Sequence, residues 1–378
     1  VTRAQRFVLT CALFHGALVP LCVWAGRRWR GVGAQPLGRR TAAAIGGGAL
    51  LLLAVVALAA LCSLVGPRSG FTVIRLVAQA LFAELLALAA YVAWTEWRRS
   101  PAPGLLAAAL PAGLLGAYWE GYHRGPWKLE LHTHVLDVRR GTDTGRLRIV
   151  HLSDLQTGHV GPHERRAVAL AAAQRPDLVV WTGDYIHTGL RTTRAEATRD
   201  LQALLQSVPM GARLGSYAVP GDTDPGWPRM LANTGIVPLT DHSVLIRLEG
   251  GRTLRLVGLD TPTSRGHRQD LVDRVLASAG DADLTFVAGH NPDFVRLLPQ
   301  TGRIGLALAG HTHGGQVAFP LLGAPYTKSV LPRRYARGLH DYGRVPLHVS
   351  AGIGMERGTA PQVRFLCPPE VCVIDVRY

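Results

Sequence analysis

Residues 146–156 read Arg-Leu-Arg-Ile-Val-His-Leu-Ser-Asp-Leu-Gln. The run from Leu147 to Leu152 is too short for a helix and apolar on both faces, as in a strand buried within a layered sheet. It stops at Ser153-Asp154, so a carboxylate falls just past the strand's carboxyl end, the edge where open α/β sheets bind ligands. The same construction recurs downstream. Stretches 177–182, 216–219, 284–288 and 304–309 read as further strands, and Asp184, His290 and the pair His311/His313 follow three of them. Gly183, Gly289, Gly310 and Gly314 stand beside these groups and let the backbone turn sharply. Stretches 162–174, 194–207 and 267–279 read as helices, and 244–259 as a hairpin turning at Gly250-Gly251. A single Asp at a strand end is ordinarily a cap or turn former, and a lone His a satisfied core or surface group. Four strand ends delivering Asp, Asp, His and His-x-His to one rim are better explained as a metal cluster.

Outward from this domain the composition changes. The chain has 378 residues, 48% apolar and 18% charged, with a net charge of +15, which excludes a disordered protein. Residues 1–140 carry 15 basic and 5 acidic side chains and 141–378 carry 26 and 21, so the basic excess lies beside apolar runs. That distribution fits anionic headgroups, not a nucleic-acid footprint. Runs 7–26 and 43–66 are uncharged and near the ~20 residues needed to span a bilayer. A third, 76–95, contains Gln79 and Glu84, and a fourth, 104–119, contains Pro111. Residues 1–124 are therefore expected to form a transmembrane region of about four spans. Arg27, Arg28, Arg30, Arg39 and Arg40 in the first loop favour a cytoplasmic position for it, which with four spans puts residues 125–378 outside the cytoplasm. Cys11, Cys22 and Cys62 lie in the apolar runs, and Cys367 and Cys372 form no redox or zinc motif, so all five read as packing residues.

The rim residues sit in motifs that resemble those of the calcineurin-like metallophosphoesterases, with the nearest likeness to a membrane-anchored bacterial branch. The matching segments are His151-Leu-Ser-Asp154-Leu-Gln156, Thr182-Gly183-Asp184, Gly221-Asp222-Thr223-Asp224, Gly289-His290-Asn-Pro-Asp293 and Gly310-His311-Thr-His313-Gly-Gly-Gln316. The resemblance implies a four-layer α/β/β/α sandwich over 125–378 and two divalent metal ions, Mn, Fe, Zn or Mg. Asp154 and His313 would hold the first ion, Asp184 would bridge, and Asp222, His290 and His311 would hold the second. Two such cations lower the pKa of a bound water and clamp the phosphoryl oxygens during in-line attack.

Two positions depart from the family pattern. Gln156 stands where the family has His, giving a neutral and weaker amide ligand. Thr223 stands where the family has the His that assists the leaving group, and a hydroxyl cannot supply that proton. Asp224 would orient a group at 223, and His159, in the loop leaving the first strand, is a candidate substitute acid. Arg333, Arg334 and Arg337 are candidates to grip a phosphate. The expectation is a membrane-tethered phosphohydrolase acting on a phosphoester or pyrophosphate bond, in a lipid-linked substrate if the tether selects it. The alternative is a catalytically degenerate metal-binding sensor or scaffold, for which Gln156 and Thr223 are the evidence.

Overall fold

A computed structural model describes residues 69–139, 145–188, 192–224, 226–278, 280–356 and 360–378. It divides into two compact units, one ending at Trp119 and one beginning at Glu120. The expected spans at 7–26 and 43–66 lie outside the described residues.

In the first unit, α1 (Ser69–Arg99) and α2 (Pro101–Trp119) form a helical hairpin in which the rings of Phe82 and Tyr118 lie 5.2 Å apart. The third and fourth expected spans fall on these helices. No helix of the described residues is long and apolar enough to cross a membrane, and this corrects the expectation of a multi-pass membrane protein with an extracytoplasmic domain. The physical reason lies in the helices themselves. The apolar part of α2, 104–119, is only about 24 Å long at about 1.5 Å per residue, against a hydrocarbon core of about 30 Å, and Pro111 lies within it. In α1 the apolar residues are broken by Arg75, Glu84 and Glu96.

The second unit contains two six-stranded sheets. One has the order β1 (Glu130–Asp137), β12 (Glu370–Arg377), β2 (Arg146–Leu152), β3 (Leu178–Trp181), β4 (Ser216–Ala218), β5 (Ile236–Pro238); the other runs β10 (Gly338–Tyr342), β11 (Val345–Val349), β9 (Ile304–Ala309), β8 (Leu284–Ala288), β7 (Thr253–Gly258), β6 (His242–Arg247). Strands β2 to β5 pair in parallel, as do β7, β8 and β9. Their carboxyl ends therefore deliver loops in one direction within each sheet.

Side-chain alternation sorts three apolar clusters onto four layers. Leu147, Ile149 and Val180 meet Leu256, Phe286 and Leu308 between the sheets. Val150, Leu152 and Trp181 face outward against α3 (Pro162–Ala173) and α4 (Arg194–Ser207). On the far side Val257, Val287 and Ala307 pack on α5 (Gln269–Ser278) through Val272 and Val275. This is the α/β/β/α arrangement, and each fully buried Val, Leu, Ile or Phe contributes roughly 1.5–3 kcal/mol to it.

The strands at 146–152, 284–288 and 304–309 have the limits expected from the sequence, and the expected hairpin is β6–β7. Strand β1 was not foreseen. Its sequence, Glu-Leu-His-Thr-His-Val-Leu-Asp, alternates correctly but turns Glu130, His132 and His134 inward, so polarity hides the pattern. It pairs in parallel with β12 from the far end of the chain, which no local signal announces.

Candidate metal centre

Five loops converge on one rim: Asp154 and Gln156 follow β2, Asp184 follows β3, Asp222 and Asp224 follow β4, His290 follows β8, and His311 and His313 follow β9. Both sheets contribute. The loops are laced together by backbone hydrogen bonds, with Asp154 N donating to Gly183 O (2.9 Å), Gln156 N to Asp184 O (2.8 Å) and Gly310 N to His290 O (2.9 Å). Glycine is needed at two of the close approaches. A Cβ on Gly310 would collide with Ser153 Oγ and Asp154 Oδ2, and one on Gly221 would collide with the backbone and carboxylate of Asp184.

Several rim residues adopt the left-handed backbone region without being glycine, including Asp154 (φ 51°), Gln156 (φ 40°), Asp184 (φ 57°), His311 (φ 68°) and His313 (φ 51°). Such conformations cost roughly 1–2 kcal/mol each in an L-residue and persist where the surroundings over-determine them, as at functional sites.

The side chains form two groups whose ligand atoms lie within 4.8 Å of one another, Asp154/Asp184/His313 and Asp222/His290/His311. His290 Nε2 stands 3.4 Å from Asp184 Oδ2 and 3.8 Å from Asp222 Oδ1, linking the two. His311 Nδ1 is 3.6 Å from Asp222 Oδ2, and His313 Nε2 is 3.4 Å from Asp154 Oδ1. Nearby polar groups orient these side chains. His290 Nδ1 donates to Thr182 O (2.7 Å), leaving Nε2 toward the carboxylates in the manner of a metal-ligating imidazole. Asp184 Oδ1 accepts from Thr223 N (2.9 Å), and Oδ2 accepts from Gln156 Nε2 (2.8 Å).

The electrostatics call for cations. Burial, reinforced by Asp184, pushes the Asp154 carboxyl up to about 7. Burial likewise opposes charge on Asp184 and His290, but their mutual attraction outweighs it, holding Asp184 well below the carboxylate range and carrying His290 up to about 10. Burial holds His311 and His313 well below the usual histidine range, so both offer lone pairs. His313 Nε2 is buried without a hydrogen-bond partner among the described residues. Carboxylates able to bridge, neutral imidazoles and this unsatisfied nitrogen together fit divalent cations of the Mn, Fe, Zn or Mg type.

Five other sequence candidates lie differently. Asp224 is buried and accepts backbone N–H groups from Asp184 (2.8 Å), Tyr185 (2.9 Å) and Gly221 (2.7 Å); it fixes the loops instead of orienting a group at 223. His159 is exposed and pairs with Asp200 at 3.2 Å. Arg333 and Arg334 are exposed on the helical turn Arg333–Ala336, with Arg334 over the Tyr335 ring, whereas Arg337 is half-buried beside Gly314.

Cations the sequence did not single out do reach the rim. Lys328 is ion-paired to Glu356, and although burial opposes its charge, Glu356 and Asp222 raise its pKa. Arg265 Nη2 is 3.7 Å from Asp222 Oδ2. Arg364 is fully buried and donates to the carbonyls of Gly354 (3.1 Å) and His313 (3.3 Å). Arg364 is a lone charge between Val363 and Phe365-Leu366-Cys367, the one signal that could have marked it. A lone lysine such as Lys328 gives none.

Residues 147–315 match the family described as calcineurin-like phosphoesterase. These residues carry a calcineurin-like phosphoesterase domain, and the chain is a metal-dependent phosphoesterase. It is 28% identical to the protein named Phosphodiesterase YaeI of Escherichia coli (strain K12), over 61% of this chain and 82% of that one. It is 26% identical to the uncharacterized metallophosphoesterase YkuE of Bacillus subtilis (strain 168), over 72% and 93%. A transmembrane protein with metallophosphoesterase domain from Danio rerio is 32% identical over 46% of this chain and 42% of that protein.

Proposed function

We propose that the rim holds two divalent cations and that the chain hydrolyses phosphodiester or pyrophosphate bonds whose leaving group departs readily. The observation that carries this is the pair of ligand groups Asp154/Asp184/His313 and Asp222/His290/His311, joined through the short approach of His290 to Asp184. Bound there, the cations would supply a water of lowered pKa and charge stabilisation for the phosphoryl oxygens. The residues do the rest. Asp184, steered by the Thr223 and Gln156 hydrogen bonds, would join the two groups; Gln156 gives the first group a weaker amide in place of a family imidazole; Lys328 and Arg265 set positive charge beside Asp222 where substrate oxygens would arrive.

The preference for a good leaving group rests on Thr223, whose buried hydroxyl has no hydrogen-bond partner among the described residues and no accessible pKa for proton donation. The phosphodiesterase name of the E. coli relative supports a diester as the substrate class. Nothing in the ligand set of the rim selects a lipid-linked substrate over another diester or pyrophosphate. The experiment is a comparison of purified chain on aryl phosphodiesters, nucleotide pyrophosphates and alkyl phosphodiesters. Turnover of the first two well above the third supports the reading, and equal rates on all three would overturn it.

A further inference from the structure

Away from the rim, one part of the inter-sheet space is not apolar. Register places His132 opposite Cys372, and Cys372 opposite His151, so β1, β12 and β2 present these three on one shared face. His134, two residues beyond His132, lies on the same face. From the other sheet, His348 on β11 reaches across: its Nδ1 is 2.8 Å from His151 Nδ1, and His151 Nε2 is 2.9 Å from Thr182 Oγ1. The rings of His134 and His348 are 5.1 Å apart. One ligand atom from each of His134, His348 and Cys372 falls within 4.8 Å of the others.

His348 is fully buried, and its Nε2 has no hydrogen-bond partner among the described residues. Buried ring nitrogens are nearly always satisfied, so this one needs an occupant. An imidazole that binds a metal uses one nitrogen on the ion and donates N–H from the other to an orienting acceptor. His348 is divided in that way, with Nδ1 committed to His151 and Nε2 left unpaired. Burial holds His134 and His348 below the usual histidine range, which leaves neutral rings. Burial and the neighbouring Glu370 push the Cys372 thiol up, so only a cation with strong affinity for sulfur would displace its proton.

We propose that His134, His348 and Cys372 form a second metal site, distinct from the phosphoesterase centre, that takes Zn²⁺. Two imidazoles and a thiolate suit a borderline-soft cation and disfavour Mg²⁺ or Mn²⁺. On binding, the Cys372 S–H bond breaks, the sulfur electron pair goes to the ion and the proton to bulk water. Entry is from the open edge at β1, where His134 is half-buried.

Cobalt(II), a spectroscopic substitute for zinc, tests the site in the full-length chain, because a cysteine ligand adds a sulfur-to-cobalt charge-transfer band in the near ultraviolet that a carboxylate and imidazole centre lacks. The band is expected in the unmodified protein and in Cys367→Ser, whose thiol lies beside the His313 loop at 3.4 Å from His313 O. It is expected to vanish in Cys372→Ser. His134→Ala, a change at a half-buried strand edge, is expected to weaken cobalt binding at the band at least tenfold while the circular dichroism spectrum stays unchanged, which keeps the test informative should Cys372→Ser fold poorly. No band at saturating cobalt, a band that survives Cys372→Ser, or unaltered affinity in folded His134→Ala would each overturn the proposal.

Discussion

The rim and the histidine-rich seam are built by the same two sheets, yet they obey opposite rules. The rim groups Asp154, Asp184, His311 and His313 sit past strand ends in left-handed backbone, held by loops and by glycines that admit no Cβ. The seam groups His134, Cys372 and His348 sit inside regular strands at registered positions. The rim is rich in carboxylate oxygen and the seam in imidazole and thiol. Ligand hardness should therefore separate them, with Mn²⁺ or Mg²⁺ going to the rim and Zn²⁺ or Co²⁺ able to occupy the seam.

The largest expected effect breaks the rim alone. Asp184→Asn removes the charge that both ligand groups share, and turnover of an aryl phosphodiester is expected to fall at least about a thousandfold, about 4 kcal/mol of barrier. Elemental analysis should show rim metal lost while the cobalt–thiolate band at the seam persists. Loss of both would mean that the two clusters are not independent.

A smaller effect sharpens the chemistry at the rim. Thr223→His restores a proton donor of the kind that contributes about 10²–10⁴ in favourable cases. Asp224 is already committed to three backbone N–H groups, so no carboxylate orients the new ring, and the gain on alkyl diesters is expected near about tenfold. Aryl esters and pyrophosphates should change little. Steady-state kinetics on the substrate pair measures the ratio, and an equal gain on both would remove the leaving-group argument.

Lys328→Met tests the positive charge beside Asp222. The KM for a diester should rise about tenfold, roughly 1.4 kcal/mol, with kcat reduced less than KM is raised. The smallest effect is at His159, whose exposed ring pairs with Asp200. His159→Ala should alter turnover by no more than about twofold, and a loss of a hundredfold would make it the missing acid after all.

How much of this was legible follows from the same contrast. The rim was readable because each of its groups comes just after a short apolar run, and all but Asp154 have a glycine alongside, so Asp154, Asp184, His290, His311 and His313 announce themselves locally. The central strands were readable because burial on both faces leaves continuous apolar segments such as Leu147–Leu152 and Ile304–Ala309. Strand β1 was not, since His132 and His134 take the inward positions that a core strand gives to Val or Leu. The seam was invisible because 134, 348 and 372 are brought together only by β1–β12 pairing and by the stacking of one sheet on the other. The contacts of Asp224 were hidden for a related reason: two of its three backbone N–H partners, Asp184 and Tyr185, lie about 40 residues away in sequence. The apolar runs at 76–95 and 104–119 were read by hydropathy alone, and the helices they form are not long and apolar enough to cross a membrane.

The central claim is that the rim's two ligand groups carry phosphoester hydrolysis through two hard divalent cations. Titration of Mn²⁺ into metal-stripped protein, following hydrolysis of bis(4-nitrophenyl) phosphate, tests it most directly, because the seam disfavours Mn²⁺. The account expects no turnover without metal, recovery that saturates at two Mn²⁺ per chain, and no recovery in Asp184→Asn. Full turnover by the stripped protein, or full recovery of Asp184→Asn, would contradict it.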